Sequence, residues 1–375
     1  MTARPTVCFL TGSLNAFAGA ERMTAVIASG LAERGYRVFV LSLYDPTSVF
    51  PLHEHVMHHA LFDVRPSFKR AYLATVLGIR RFLREHGVDV LIEVDTMLTL
   101  FTVPATIGMS VRRVAWEHCH FDEDLGRPVR RLARRLAART NAAVVVLTER
   151  DRQRWLTAIA GARRVAVIHN ALPLAFPTEP APRDRLDQHD RRVLLAVGRL
   201  THAKGFDTLL RAWAQARPSL PGWKLQIIGD GEAREPLQQL IDSLGLACDS
   251  STMLVGATAE VGAAYRNAAA FCLSSRYEGF GLVLIEAMAY GLPIVATRCE
   301  TGPKDLLEDG ANAVLVPVDD DVAMSRALVR VCTDAALQER LATNGRAFAT
   351  QFELPRVLER WTGLLDGLAQ AANAR

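Results

Sequence analysis

Apolar, strand-like runs and amphipathic stretches alternate along almost the whole chain, and the alternation is broken once, by prolines. Val7-Cys8-Phe9-Leu10 is followed by a loop of small residues. A helical stretch at 21–35 then places Met23, Val26, Ile27 and Leu31 on one face, and Val38-Phe39-Val40-Leu41 completes a first strand–helix–strand unit. Further strand candidates lie at 88–92, 143–147 and 165–168. Pro173, Pro177, Pro180 and Pro182 punctuate a stretch without periodicity. Beyond it the alternation resumes, with strands at 193–197, 225–228, 253–255, 270–274, 294–297 and 313–316 and helices between them. Parallel strands need a crossover, and the intervening helix supplies it, so such a pattern folds as parallel sheets wrapped by helices. At 375 residues the chain is long for one core. The expected architecture is α/β, with domains at 1–172 and 191–350 joined by a linker at 173–190. Ligands of open α/β sheets sit at the carboxyl ends of strands, so the cleft between the two blocks is the expected binding site.

Composition narrows the class. Half of the residues are hydrophobic and 22% are charged, the balance of a folded globular protein. Cys8, Cys119, Cys248, Cys272, Cys299 and Cys332 form no C-x-x-C pair, which fits reduced thiols in a cytoplasmic protein. The apolar stretch at 7–20 is broken by Gly12, Ser13 and Asn15, so it reads as a core strand and loop and not as a signal peptide. The longest other uncharged run, 96–111, is shorter than the roughly 20 residues of a spanning helix.

Charge is uneven. Residues 1–170 hold 23 Lys+Arg against 15 Asp+Glu, and residues 171–375 hold 21 against 25. The first half therefore favours anionic company. Two basic helices are expected there. One spans 66–86, with Lys69, Arg70, Arg80, Arg81 and Arg84; the other spans 126–140, with Arg127, Arg130, Arg131, Arg134, Arg135 and Arg139 opposite an apolar face of Val129, Leu132 and Leu136. Such helices are either solvated faces or a surface for anionic lipid at the inner face of the cytoplasmic membrane. Without aromatic interleaving or a known motif, nucleic acid is not an expected partner.

Residues 274–293, S-S-R-Y-E-G-F-G-L-V-L-I-E-A-M-A-Y-G-L-P, carry the densest chemistry. They read as a strand end, a glycine-bearing loop and a short helix. Gly279 and Gly281 allow close approach to the backbone, and the N–H groups of Phe280, Gly281 and Leu282 open a helix and can face oxygen atoms. Glu278 and Glu286 suit pairs of sugar hydroxyls; they are equally readable as a capping carboxylate and a buried glutamate paired with arginine. Arg199 and Lys204 straddle the loop after strand 193–197, where compact positive charge suits a diphosphate. The small-residue loop before the first helix suits a phosphate at the helix start, and is equally an ordinary turn.

Together these segments resemble a known family. The run 275–297 with its E-x7-E pair, Val197-Gly198-Arg199-Leu200 with Lys204-Gly205, Ile228-Gly229-Asp230-Gly231-Glu232, the stretch 310–317 and Gly19-Ala20-Glu21-Arg22 are similar, in this order, to the retaining, nucleotide-sugar-dependent family 4 glycosyltransferases. Trp116-Glu117-His118 and Thr301-Gly302-Pro303-Lys304-Asp305 resemble its amylovoran, capsule and exopolysaccharide branch. The resemblance implies a GT-B fold: two Rossmann-like domains with parallel sheets facing across a cleft, and a C-terminal helix within 351–375 packing back on the N-terminal domain.

It also implies roles. Glu278 would hold sugar hydroxyls, with Gly279 and Leu282 beside it and the amides of Phe280 and Gly281 steadying the sugar. Glu286 would grip the ribose. Arg199 and Lys204 would neutralise the departing diphosphate, near Gly229. His118 would stand by the reacting centre, and Gly19 would approach the phosphate from the other domain. Ala18 replaces the first of the family's usual paired glycines, so its methyl is expected to narrow that loop. The implied reaction moves a hexose or N-acetylhexosamine from a nucleoside-diphosphate sugar, UDP first, to a lipid-linked or polysaccharide acceptor, with no cofactor and no metal. A 2-epimerase of the same architecture is the alternative. Adjacent strand residues point opposite ways, so His118-Cys119-His120 is not read as a metal site. Asp122-Glu123-Asp124 reads as a solvated acidic turn.

Overall fold

The computed structural model describes residues 4–124, 126–162, 164–173, 192–247, 251–258, 261–300 and 302–373. Nearly all of the proposed linker, together with Cys248 and Thr301, lies outside them. The chain divides into two compact units, Met1–Pro173 with Leu354–Arg375, and Leu174–Glu353.

In the first unit the order is β1 (Val7–Thr11), α1 (Gly19–Glu33), β2 (Val38–Ser42), β3 (Val56–Ala60), α2 (Tyr72–Glu85), β4 (Val90–Glu93), α3 (Thr99–Ala105), β5 (Arg112–Trp116), α4 (Val129–Thr140), β6 (Ala143–Val146), α5 (Glu149–Ala158) and β7 (Val165–Val167). The strands form a parallel sheet in the order β3-β2-β1-β4-β5-β6-β7. β1, β2 and β4 are buried at every position, which is why they appear in the sequence as unbroken apolar runs. Three of the four threonines in the uncharged run at 96–111 serve buried carboxylates: Thr99 and Thr102 donate from α3 to Glu93 at the end of β4, and Thr96 donates to Glu117 at 2.6 Å.

In the second unit the order is β8 (Val193–Val197), α6 (Phe206–Ala216), β9 (Lys224–Ile228), α7 (Arg234–Ser243), β10 (Thr252–Gly256), α8 (Gly262–Asn267), β11 (Ala270–Leu273), α9 (Leu282–Ala289), β12 (Ile294–Thr297), α10 (Pro303–Leu306), β13 (Val314–Val316), α11 (Asp321–Thr333) and α12 (Ala335–Ala349). Its parallel sheet runs β10-β9-β8-β11-β12-β13. Its core includes Leu194, Leu209, Trp213, Ile227 and Leu328. Asp320, from the acidic turn, accepts from the Ala323 amide at 2.8 Å and so starts α11. The two-unit, parallel-sheet architecture is that of GT-B enzymes.

The closing helix α13 (Leu354–Asn373) belongs to the first unit. It lies against α1; beside that contact the Tyr36 hydroxyl, past the end of α1, donates to Asp366 at 2.7 Å, and Trp361 meets Trp116 of β5 edge-on with ring centroids 5.0 Å apart.

Both basic segments depart from expectation. The first becomes helical only at Tyr72, and the second only at Val129, after Pro128. The larger correction concerns which way α4 faces. Arg130 and Arg134 point inward, whereas Val129 and Leu132 are exposed. The arginines are drawn in because Glu117, at the end of β5, is itself buried and needs cations. Arg130 Nη1 lies 3.3 Å from Glu117 Oε1, and Arg134 Nε lies 3.1 Å from Glu117 Oε2. A buried carboxylate without such partners would cost several kcal/mol, more than exposing two aliphatic side chains.

Candidate active site

The site is built where β8, β9 and β11 end. The loops after β8 and β9 are laced together: Gly198 N donates to Ile228 O and Leu200 N to Asp230 O, both at 2.9 Å. This approach explains two glycines. At Gly229 (φ +154°) a Cβ would lie 1.8 Å from Gly198 O, and at Gly231 (φ +157°) it would lie 2.4 Å from Leu200 O. No side chain fits either gap.

A short 3-10 turn, His202–Lys204, follows. It is tied to the loop after β11 by Ser274 Oγ, which donates to Lys204 O at 2.8 Å, and by Arg276 N, which donates to Ala203 O at 2.8 Å. Arg276, which the sequence did not single out, is the main fastener. Its guanidinium donates to both oxygens of Asp207 at 2.9 Å, to His202 O at 2.7 Å and to Asp319 at 3.2 Å. Such two-pronged binding fixes both distance and plane.

That fastening brings two of the expected residues together. Lys204 Nζ donates to Glu278 Oε1 at 2.6 Å, and Ser275 Oγ donates to the same oxygen at 2.6 Å. Lys204 and Glu278 line a pocket of about 410 Å³ with Arg199, Thr201, His202, Ala203, Glu232, Tyr277 and Gly279. Arg199 is mostly exposed, 4.0 Å from the equally exposed Glu232, a pairing too solvated to hold it firmly. An exposed cation and a held cation thus line one pocket.

The remaining loop residues are placed by packing. Phe280 is buried, its ring edge-on to Phe352 at 5.7 Å. Gly281 (φ +88°) caps α9, whose first residue is Leu282. Gly302 presses on the same loop, since a Cβ there would meet Phe280 O at 2.7 Å and Glu278 Cβ at 3.0 Å. Gly302 therefore forms part of the support around Glu278. Glu286 is buried in α9 and does not line the pocket; it accepts from Tyr265 Oη at 2.6 Å.

His118 and Gly19 belong to the first unit. Gly19 is the first residue of α1, and Ala18 before it is extended (φ −133°, ψ 166°), a conformation alanine adopts without strain. His118 follows β5 and packs on Trp116, with ring centroids 4.3 Å apart. Burial pushes its imidazole down to about 4, against the opposing pull of Asp95, so it is neutral at physiological pH. The loop that carries it is tightly held. Besides Glu117, Arg134 donates to the carbonyls of His120, Phe121 and Glu123, and Cys119 N donates to Glu117. Among the described residues, no group of three or more His, Cys, Asp or Glu is placed to hold a metal ion.

Comparison with known proteins agrees with this frame. The "Glycosyltransferase Family 4" model matches residues 17–176 and the "Glycosyl transferases group 1" model matches residues 178–348. An uncharacterized glycosyltransferase of Haemophilus influenzae is 30% identical over 357 residues, covering 95% of this chain and 99% of its own. A Campylobacter jejuni relative is 26% identical, over 98% of this chain and 99% of its own. Its name describes transfer of N-acetyl-D-galactosamine, in α-1,4 linkage, to a glycan on undecaprenyl diphosphate. The amylovoran biosynthesis glycosyltransferase AmsD of Erwinia amylovora is 25% identical, over 93% of this chain and 96% of its own. Among solved structures, HepE of Anabaena, crystallised with UDP and glucose, has a TM-score of 0.80 at 22% identity, over 96% of this chain and 99% of that one. Fold, family models and relatives define a sugar-transferring enzyme. The chain belongs to the family 4 glycosyltransferases.

Proposed function

We propose that this glycosyltransferase moves a hexose or N-acetylhexosamine, with retention of anomeric configuration, from a UDP-sugar to a polyprenyl-diphosphate-linked or polysaccharide acceptor. The observation that carries the reading is the Lys204–Glu278 pair in a pocket that also holds Arg199. A diphosphate entering there meets two cations, and Lys204, released from Glu278, frees a carboxylate for sugar hydroxyls. The reacting bond joins the anomeric carbon to the diphosphate oxygen. As it breaks, negative charge grows on the diphosphate, and the held ammonium of Lys204, joined by the guanidinium of Arg199, stabilises it without a metal. The acceptor hydroxyl attacks on the same face, and the leaving phosphate takes its proton. In this reading the amides of Phe280 and Gly281 steady the sugar, with Gly279 and Leu282 framing them. Gly229 keeps the diphosphate wall open, Glu286 binds the ribose, and Gly19 and the neutral His118 act from the first unit. Transfer from a UDP-sugar to a polyprenyl-diphosphate-linked saccharide, with the product anomer read by NMR, tests it. The Campylobacter relative and the UDP complex of HepE support the choice of acceptor and nucleotide.

The acceptor chemistry raises the question of membrane contact. No helix among the described residues is long and apolar enough to cross a membrane. We place peripheral contact, at the inner face of the cytoplasmic membrane, on the outer faces of α2, α3 and α4. α3 packs against both of its neighbours. Leu73, Leu77, Ile107, Val129 and Leu132 are exposed across this layer, interleaved with Arg81, Arg84, Arg131 and Arg135. Apolar side chains among cations are the composition of an interfacial surface. The protein is expected to sediment with vesicles containing anionic lipid at low salt, and far less at 0.5 M salt or with neutral vesicles. Leu73→Asp with Leu132→Asp should weaken binding about tenfold or more. Equal sedimentation with neutral and anionic vesicles, or none with either, would count against this placement.

A further inference from the structure

Helices α8 and α9 carry a buried pair to which the reaction scheme gives only half a role. Glu286 on α9 is nearly buried, at 1% exposure, and Tyr265 on α8 is fully buried. The Tyr265 hydroxyl donates to Glu286 Oε2 at 2.6 Å, within the short range of an O–H bonded to a carboxylate. The Tyr265 ring has little freedom. It stacks on Tyr290, with centroids 5.4 Å apart and planes 15° apart, and leans on Phe271 at 6.0 Å. The start of α8 is pressed against the same neighbour, for a Cβ on Gly262 would lie 3.0 Å from Tyr290 Oη. A glutamate on a helix otherwise rotates about three side-chain bonds. Holding one of its oxygens with an immobile phenol fixes the plane of the carboxylate, and with it the directions in which its lone pairs can accept.

We infer that Tyr265 is a positioning residue for the donor nucleotide: it presents Glu286 to the vicinal 2′,3′-diol of the ribose. The inference rests on the assignment of Glu286 to the ribose. Pre-orientation removes part of the ordering cost of binding. Loss of the phenol also leaves a buried carboxylate one donor short, which favours rotation towards other donors. Tyr265 touches no reacting atom, so its removal should act on donor affinity and spare the chemical step.

The test compares UDP with 2′,3′-dideoxy-UDP on the full-length wild type, Tyr265→Phe and Glu286→Gln, by calorimetric titration. The phenylalanine keeps the ring stack, and the comparison is made within each variant, so general loosening of the fold affects both ligands alike and cancels. Wild type should prefer UDP over the dideoxy analogue by about a hundredfold, roughly two hydroxyl contacts to a charged group. Tyr265→Phe should lose about tenfold for UDP and little for the analogue, with kcat at saturating donor within twofold of wild type. If Tyr265→Phe keeps the full wild-type preference while Glu286→Gln loses it, the positioning role is overturned and the ribose assignment stands. If Glu286→Gln also keeps the preference, the ribose assignment falls and the inference falls with it.

Discussion

Lys204→Ala is expected to lower kcat for sugar transfer by about 10²–10³-fold, the usual loss when one preorganised group facing developing charge is removed. Lys204 is the firmly placed cation of the pocket. Its ammonium is held 2.6 Å from Glu278, and the turn that carries it is fastened to the loop after β11. Arg199, exposed beside Glu232, can follow a ligand but is not held in advance. The larger loss is therefore expected at Lys204, and a smaller one at Arg199→Ala. Glu278 keeps its bond from Ser275 when the lysine is gone, so the fold should survive, and circular dichroism would verify that it does. Lys204→Arg retains the charge but not the geometry and should recover activity only in part. Steady-state transfer by Lys204→Ala within twofold of wild type would remove the leaving-group role.

Arg134→Met should destabilise the first unit by about 3–5 kcal/mol, the cost of leaving a buried carboxylate with one of its cations removed. Glu117 is 1% exposed. Burial pushes its carboxyl up, and so does the charge of Asp95, while Arg134 and Arg130 pull it down. Arg134 also satisfies three loop carbonyls, so the loss is not of one contact alone. Because the chain has two compact units, a single unfolding free energy is not expected. The shift should fall on one calorimetric transition and spare the other. The double variant Glu117→Gln with Arg134→Met no longer buries an under-compensated charge and should regain a good part of the loss. If both transitions of Arg134→Met melt within about 1 °C of wild type, the buried-charge account of α4 is wrong.

Much of the fold was legible because parallel strands covered on both faces leave a plain mark. β1, β2, β8 and β11 are short apolar runs, and the turns between them carry the glycines. β3 left no such mark. It reads Val-Met-His-His-Ala at the edge of the sheet, with Met57 and His59 partly exposed, although the His59 ring still packs 5.3 Å from Phe82. The orientation of α4 was misread for a physical reason. Periodicity finds the apolar stripe of a helix and assigns it inward, but here Glu117, 13 and 17 positions away, draws Arg130 and Arg134 into the interior. Nothing local announces that a carboxylate at the end of β5 will be buried.

The site was legible in its residue types and less so in its connections. Lys204 and Glu278 stood out as candidates, but their bond spans 74 positions and depends on Arg276 and Asp207 holding two loops in register. Gly229 stood out as a donor contact, and the structure adds a backbone crossing that no side chain permits. Arg276 and Tyr265 went unnoticed although the signal was present: an arginine two residues before Glu278, and a tyrosine at the end of the helix just before β11. Neither residue type at such a position carries a chemical meaning until its partner is known.

The most direct measurement is the stereochemistry of the product. A UDP-α-sugar is incubated with a polyprenyl-diphosphate-linked saccharide, and the anomeric proton of the new linkage is followed by NMR from the first turnovers. Same-face attack in the Lys204–Glu278 pocket predicts an α-linked product, with UDP released one for one. A β-linked product would contradict the same-face mechanism, and interconversion of the donor sugar without acceptor would contradict transfer as the reaction of this site.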